Sequence, residues 1–203
     1  NSRMNLSFIK RSVLFISIIS LFTMSASSQY VIKNYDKEWK KVQSFTEKRL
    51  PKSALAEVKK IYALAKKEKQ DAQVIKSLVY MTGLQNENRD DNEVLSIGEV
   101  EKEISTSKEP VSSILKSLLA QLYWNYYQQH RWQLYDRTKT KEFTKTDIAT
   151  WGAEDFHKKI SELYLQSIQP EKLLQQTKLN SYEAIIIKGN VRHLRPTLYN
   201  LLV

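Results

Sequence analysis

The stretch VSSILKSLLAQLYWNYYQQHRWQLY, residues 111–135, decides the fold. Ile114, Leu115, Leu118, Leu119, Leu122, Tyr123, Tyr126 and Tyr127 recur at spacings of three and four, the period of an α-helix. No glycine or proline interrupts the run, and Pro110 stands just before it. Its apolar residues wrap more than one face, so this helix is expected to be the central, most buried one.

Shorter stripes of the same period lie on the N-terminal side. Val31, Ile32, Tyr35, Trp39, Val42 and Phe45 predict a helix within Val31 to Leu50, and Leu50-Pro51 ends it, because proline disfavours helical geometry in the residue before it. Pro51 or Ser53 opens a second helix, with Leu55, Val58, Ile61, Tyr62 and Ala65 inward. Lys66, Lys67 and Lys69 fall in its last turn, where positive charge suits the helix dipole. Asp71 is expected to cap a third helix with Val74, Ile75, Leu78, Val79 and Met81 or Thr82 inward. The second and third, at Pro51–Lys69 and Asp71–Asn88, resemble one antiparallel hairpin of a solenoid, although no repeat of fixed length is evident. A fourth stripe, Val94, Ile97, Val100 and Ile104, is broken by Ser107-Lys108-Glu109-Pro110.

On the C-terminal side, Thr138–Thr146 reads as a polar loop, and Asp147 or Thr150 as the cap of the next helix. That helix carries Phe156, Ile160, Leu163, Tyr164 and Ile168. Pro170 punctuates, Leu173-Leu174 begin a short helix, and Tyr182–Ile187 is a brief β-branched run before Gly189-Asn190. Leu194-Arg195-Pro196 leads into a last apolar segment. The expectation is an all-α chain, an irregular antiparallel bundle or array of helical hairpins. Four glycines and four prolines in 203 residues agree with it.

The first 28 residues carry an address. From Met4, a basic segment ends in Lys10-Arg11, an apolar run covers Val13 to Phe22, and small residues lead to Ala26-Ser27-Ser28. That order is a secretory signal peptide cut before Gln29. The apolar run is about half the ~20 residues a spanning helix needs, so no stable membrane span is expected after cleavage. Residues 1–3 read as translated sequence upstream of the true start, and residues 29–203 as one helical N-terminal domain, truncated at its apolar C-terminal end. An exported chain is expected in the periplasm, the cell envelope or outside the cell.

There is no cysteine, which excludes thiol catalysis, thiolate zinc sites, iron–sulfur clusters and lipid attachment at a new N-terminal cysteine within this segment. The net charge is +10, but lysines interleave with glutamates, as in Lys66-Lys67-Glu68-Lys69 and Glu99-Val100-Glu101-Lys102-Glu103. A solvated helix surface is the expectation there, and nucleic acid is not expected as a partner.

The search for chemistry returns little. His130, His157 and His193 have no second histidine or carboxylate at zinc-binding helical spacing, and no phosphate loop or nucleophile turn is present. A calcium loop aligned from Asn86 fails at its sixth and twelfth positions, where Asp91 and Ile97 stand. No catalytic residue, cofactor or metal site is expected. The aromatic block Tyr123, Trp124, Tyr126, Tyr127, Trp132 and Tyr135 reads mainly as core. Trp124, Arg131 and Trp132 lie partly off the leucine stripe and are the candidate protein-contact surface.

Several stretches add a resemblance. They are Tyr35-Asp36-Lys37-Glu38-Trp39-Lys40-Lys41-Val42, Leu50-Pro51-Lys52-Ser53-Ala54-Leu55, Leu84-Gln85-Asn86-Glu87, the block from Leu115 to Trp132, Asp147-Ile148-Ala149-Thr150-Trp151 and Leu194-Arg195-Pro196-Thr197-Leu198-Tyr199. In this order they resemble the N-terminal helical region of the alpha-2-macroglobulin-like proteins of the Bacteroidetes group. The resemblance implies a much longer chain, mostly of β-sandwich domains downstream, that traps proteases. In some members of that family a Cys-Gly-Glu-Gln thioester links to the attacker; this segment has no cysteine to form one. The partners implied are the downstream domains of the same chain and, through the full-length protein, proteases. The alternatives are a free-standing periplasmic adaptor working through Trp124, Arg131 and Trp132, and a basic face that binds nucleic acid or anionic lipid.

Overall fold

The computed structural model describes residues 34–86, 92–135, 147–186 and 194–203. Residues 1–28, read above as a signal peptide, together with Val31, Ile32, the loop centres 87–91 and 138–146, Ile187, Gly189-Asn190 and His193, lie outside the described residues.

The chain is all-α among the described residues. Eight helices follow one another: α1 (Asp36–Glu47), α2 (Pro51–Lys67), α3 (Asp71–Asn86), α4 (Asn92–Thr106), α5 (Val111–Tyr135), α6 (Ala153–Ile168), α7 (Glu171–Gln176) and α8 (Leu198–Leu202). Short 3₁₀ segments cover Ile148–Thr150 and Leu179–Ile185. The β-branched run after Tyr182 forms no strand in its described residues, which end at Ile186; the one extended pairing described is an isolated bridge between Lys178 and Thr197.

The helix boundaries follow local chemistry. Pro51 is the first residue of α2, where a missing N–H costs nothing. Asp71 is the first residue of α3 rather than its cap, and the Gln70 carbonyl accepts the first turn's bonds from Gln73 and Val74. The Asp147 side chain caps the 3₁₀ turn through the Ala149 N–H at 3.0 Å, not the long helix after it. That helix, α6, opens at Gly152, whose N–H donates to Asp155 Oδ2 at 3.0 Å.

α1 and α2 end in the same way. The N–H of Leu50 donates to the Phe45 carbonyl and that of Arg49 to Thr46; Gln70 and Lys69 repeat the pattern on Ala65 and Lys66. These are Schellman closures, whose penultimate residue turns left-handed. Glycine usually fills that place. Here Arg49 (φ 53°) and Lys69 (φ 54°) do. Lys69 therefore lies beyond α2, and Lys66 and Lys67 are the basic residues of its last turn.

Consecutive helices pack side by side, from α1 on α2 through to α5 on α6. Tyr123 on Glu101 and His130 on Glu93 pair the far ends of α4 and α5, so the two run antiparallel. Tyr164 with Gln121 and His157 with Tyr127 show the same for α5 and α6. The Leu179–Ile185 segment returns to pack on α3, and α7 pairs with α8.

Leu115, Leu119, Ala120 and Tyr123 bury the core side of α5, as the stripe required. α3 shares the central place: it packs against α2, α4 and the Leu179–Ile185 turn, and buries Val74, Ile75, Leu78, Met81 and Thr82. Three inward expectations fail. Val79 is 44% exposed, and Val94 and Tyr164 also face solvent.

Candidate functional site

Two places gather chemistry-bearing side chains: the outer side of α5 and a cleft between α2, α3 and α4.

The α5 side rests on an aromatic hub. Phe156 of α6 is 0% exposed, with ring centroids of Trp151, Tyr126, Tyr127 and Tyr123 at 5.1, 5.6, 5.9 and 6.4 Å. Trp151 stacks on Tyr123 at 5.4 Å with planes 9° apart. The Tyr123 hydroxyl donates to Glu101 Oε1 at 2.8 Å. Burial, then the Glu101 charge, holds that hydroxyl well above the usual tyrosine range, so it stays a donor.

The opposite side of α5 is open. Trp132 is 78% exposed and Trp124 37%. Arg131 is exposed as well, its guanidinium 4.8 Å from the Trp132 ring centre. Trp124 leans on Tyr127 at 5.8 Å and on His157 of α6 at 6.1 Å. Gln121, Asn125 and Gln128 fall between these rings at helical spacing. The structure thus places Trp124, Arg131 and Trp132 on one outer side. The two indoles stand eight residues apart, about 12 Å along the axis. From Ser117 to Tyr135 there is no lysine, aspartate or glutamate.

Sequence reasoning missed the cleft. Its volume is ≈ 410 Å³, and Leu78 and Met81 form its apolar floor beside Tyr62, Lys66, Lys102 and Glu103. The run Glu99 to Glu103 was expected to be a solvated surface; the structure corrects this at Glu103, which is 5% exposed. Three donors reach its carboxylate: the Tyr62 hydroxyl, Lys66 Nζ at 2.6 Å and Ser107 Oγ at 3.3 Å. Burial and the Glu103 carboxylate hold the Tyr62 hydroxyl above its usual range. A carboxylate so occupied is a static acceptor that ties α2 to α4. The signal in the sequence was position: Glu103 lies three residues after Val100, on the inward side of its own stripe.

His130 pairs with Glu93 at 3.1 Å and packs on Tyr126 at 4.3 Å; His157 packs edge-on against Tyr127. Among the described residues, no three histidines, aspartates or glutamates converge to hold a metal ion. No helix of the described residues is long and apolar enough to cross a membrane.

No protein-family model, curated protein or solved structure matches this chain.

Proposed function

We propose that this chain is a non-catalytic helical docking module, the N-terminal part of an exported alpha-2-macroglobulin-like protease trap, and that α5 supplies its contact surface. The observation that carries the docking role is the outer side of α5. Two exposed tryptophans and an arginine stand there among amides, on a stretch free of lysine and carboxylate in a chain that is 27% charged. Contact surfaces are enriched in tryptophan, tyrosine and arginine and depleted in lysine, glutamate and aspartate. A few such residues, centrally placed, supply most of the binding energy. The trap context rests on the ordered resemblance together with the leader, and protease inhibition itself resides in domains downstream.

A photo-crosslinking residue at Gln128, in the protein expressed in its own host, tests the docking role. A cross-link to one defined domain or protein, lost in Trp132→Ala, is expected. Cross-linking no stronger than from a control at exposed Ser161 of α6 refutes it. The reading frame past Val203 tests the context. A long continuation in short alternating strands supports the trap, and an early stop leaves the free-standing adaptor.

A further inference from the structure

We propose that the α1–α2 hairpin docks on an anionic lipid surface through its tip, Lys48-Arg49-Leu50-Pro51-Lys52.

The charge of this protein is not spread evenly. Residues 36–69 hold eleven lysines and arginines against five carboxylates. The other described residues hold ten against twelve. The positive balance of the described fold is therefore the work of one hairpin. Lys37, Lys40, Lys41 and Lys48 follow one side of α1, opposite buried Val42. Lys52, Lys59, Lys60 and Lys67 follow one side of α2, opposite buried Val58 and Ala65. All eight are exposed.

Charge alone would suit any polyanion. The tip narrows the choice. Leu50 is 45% exposed, directly between Arg49 and Pro51, with Lys48 and Lys52 two residues to either side. The Schellman closure of α1 fixes this arrangement: the Leu50 N–H donates to Phe45 at 2.9 Å, the Arg49 N–H to Thr46 at 2.9 Å, and Arg49 turns left-handed. A half-exposed leucine on a hydrogen-bonded turn, in a run with three exposed cations, matches a lipid interface. Headgroup phosphates meet the cations and the acyl boundary meets the leucine. An acidic polysaccharide offers no apolar phase to Leu50, and a duplex offers base faces only at the cost of unstacking them. The inference uses no residue of α5 and stands apart from the docking role proposed for it.

The protein has no cysteine, so one introduced thiol reports on one place. Leu50→Cys and, as a control on α6, Ser161→Cys are each labelled in the full chain with an environment-sensitive fluorophore. They are mixed with phosphatidylcholine vesicles with and without phosphatidylglycerol. The label at 50 is expected to shift to the blue with phosphatidylglycerol alone, reversibly with salt, and the label at 161 to stay unchanged. Adding Lys48→Glu, Arg49→Glu and Lys52→Glu is expected to weaken the effect at 50 at least tenfold, with helical content preserved in circular dichroism. No shift at 50, an equal shift at 161, or a shift that survives the three reversals overturns the proposal. So does tighter binding to a single-stranded oligonucleotide or to heparin than to the vesicles, with Leu50→Ser making no difference to either.

Discussion

Tyr62 on α2 donates its hydroxyl to the Glu103 carboxylate on α4, across 41 residues of sequence. The same carboxylate accepts Lys66 at 2.6 Å. These are the polar bonds that hold two non-consecutive helices of the array in register. Their partners differ in burial, and that difference has consequences for stability.

Glu103 is buried, whereas the Lys66 side chain is 41% exposed. Removing the carboxylate strands the Tyr62 hydroxyl and the ammonium together. Glu103→Ala is therefore expected to cost about 2–3 kcal/mol. Lys66→Met leaves Tyr62 and Ser107 bonded to Glu103 and loses a partly screened pair, so about 1 kcal/mol or less is expected. Urea midpoints of the two variants check the ratio; equal losses would show that Glu103 is not the centre of the knot.

Alkaline pH tests the two buried tyrosines. Burial first, then Glu103 and Glu99 at Tyr62 and Glu101 at Tyr123, raises both hydroxyls above the usual tyrosine value of 10.0. The unfolded chain gives up these protons near pH 10.0 and the folded chain keeps them. The stability linked to them is complete below that pH and is lost as pH rises through and beyond it. Urea titrations above pH 10.0 are expected to show a steep fall that flattens in Tyr62→Phe/Tyr123→Phe. A double variant as steep as the parent contradicts the assignment.

Lys69 holds a left-handed backbone at φ 54° without being glycine. A side chain in that region costs on the order of 1 kcal/mol, which glycine avoids at some expense in unfolded-state entropy. Lys69→Gly is expected to stabilise the fold by about 0.5 kcal/mol. Calorimetry should then show a midpoint about 1–2 °C higher for a domain of this size. A lower midpoint would mean that the lysine side chain contributes more than the strain removes.

The aromatic block divides by burial. Phe156→Ala empties the centre of the hub and is expected to cost about 3–5 kcal/mol. Trp132→Ala removes a ring that is 78% exposed and is expected to change stability by no more than about 0.5 kcal/mol. A large loss at Trp132 in thermal melts would place that ring in the core and remove it from the contact surface.

Much of the fold was legible because helices are local. The period of residues 111–135 and Pro110 before them located α5 and its start. Of the two starts open for α2, Pro51 and Ser53, the helix takes Pro51. Ends were less legible where glycine was absent: nothing in Lys66-Lys67-Glu68-Lys69 marks the left-handed turn that stops α2 two residues before Lys69. Trp124, Arg131 and Trp132 were found because they break a leucine stripe. Glu103 was missed because it sits on a stripe in a charged run, where composition spoke louder than position.

The sequence by itself determined the class of structure and the spans of the long helices, since apolar period, proline and caps act within a few residues. It also set Trp124, Arg131 and Trp132 partly off the leucine stripe of α5. Only the tertiary structure decided that Glu103 is buried and that Leu50 is left half-exposed at the hairpin tip. Both depend on which helices become neighbours. The partners that shelter Glu103 lie 37 and 41 residues away, beyond the reach of any local pattern.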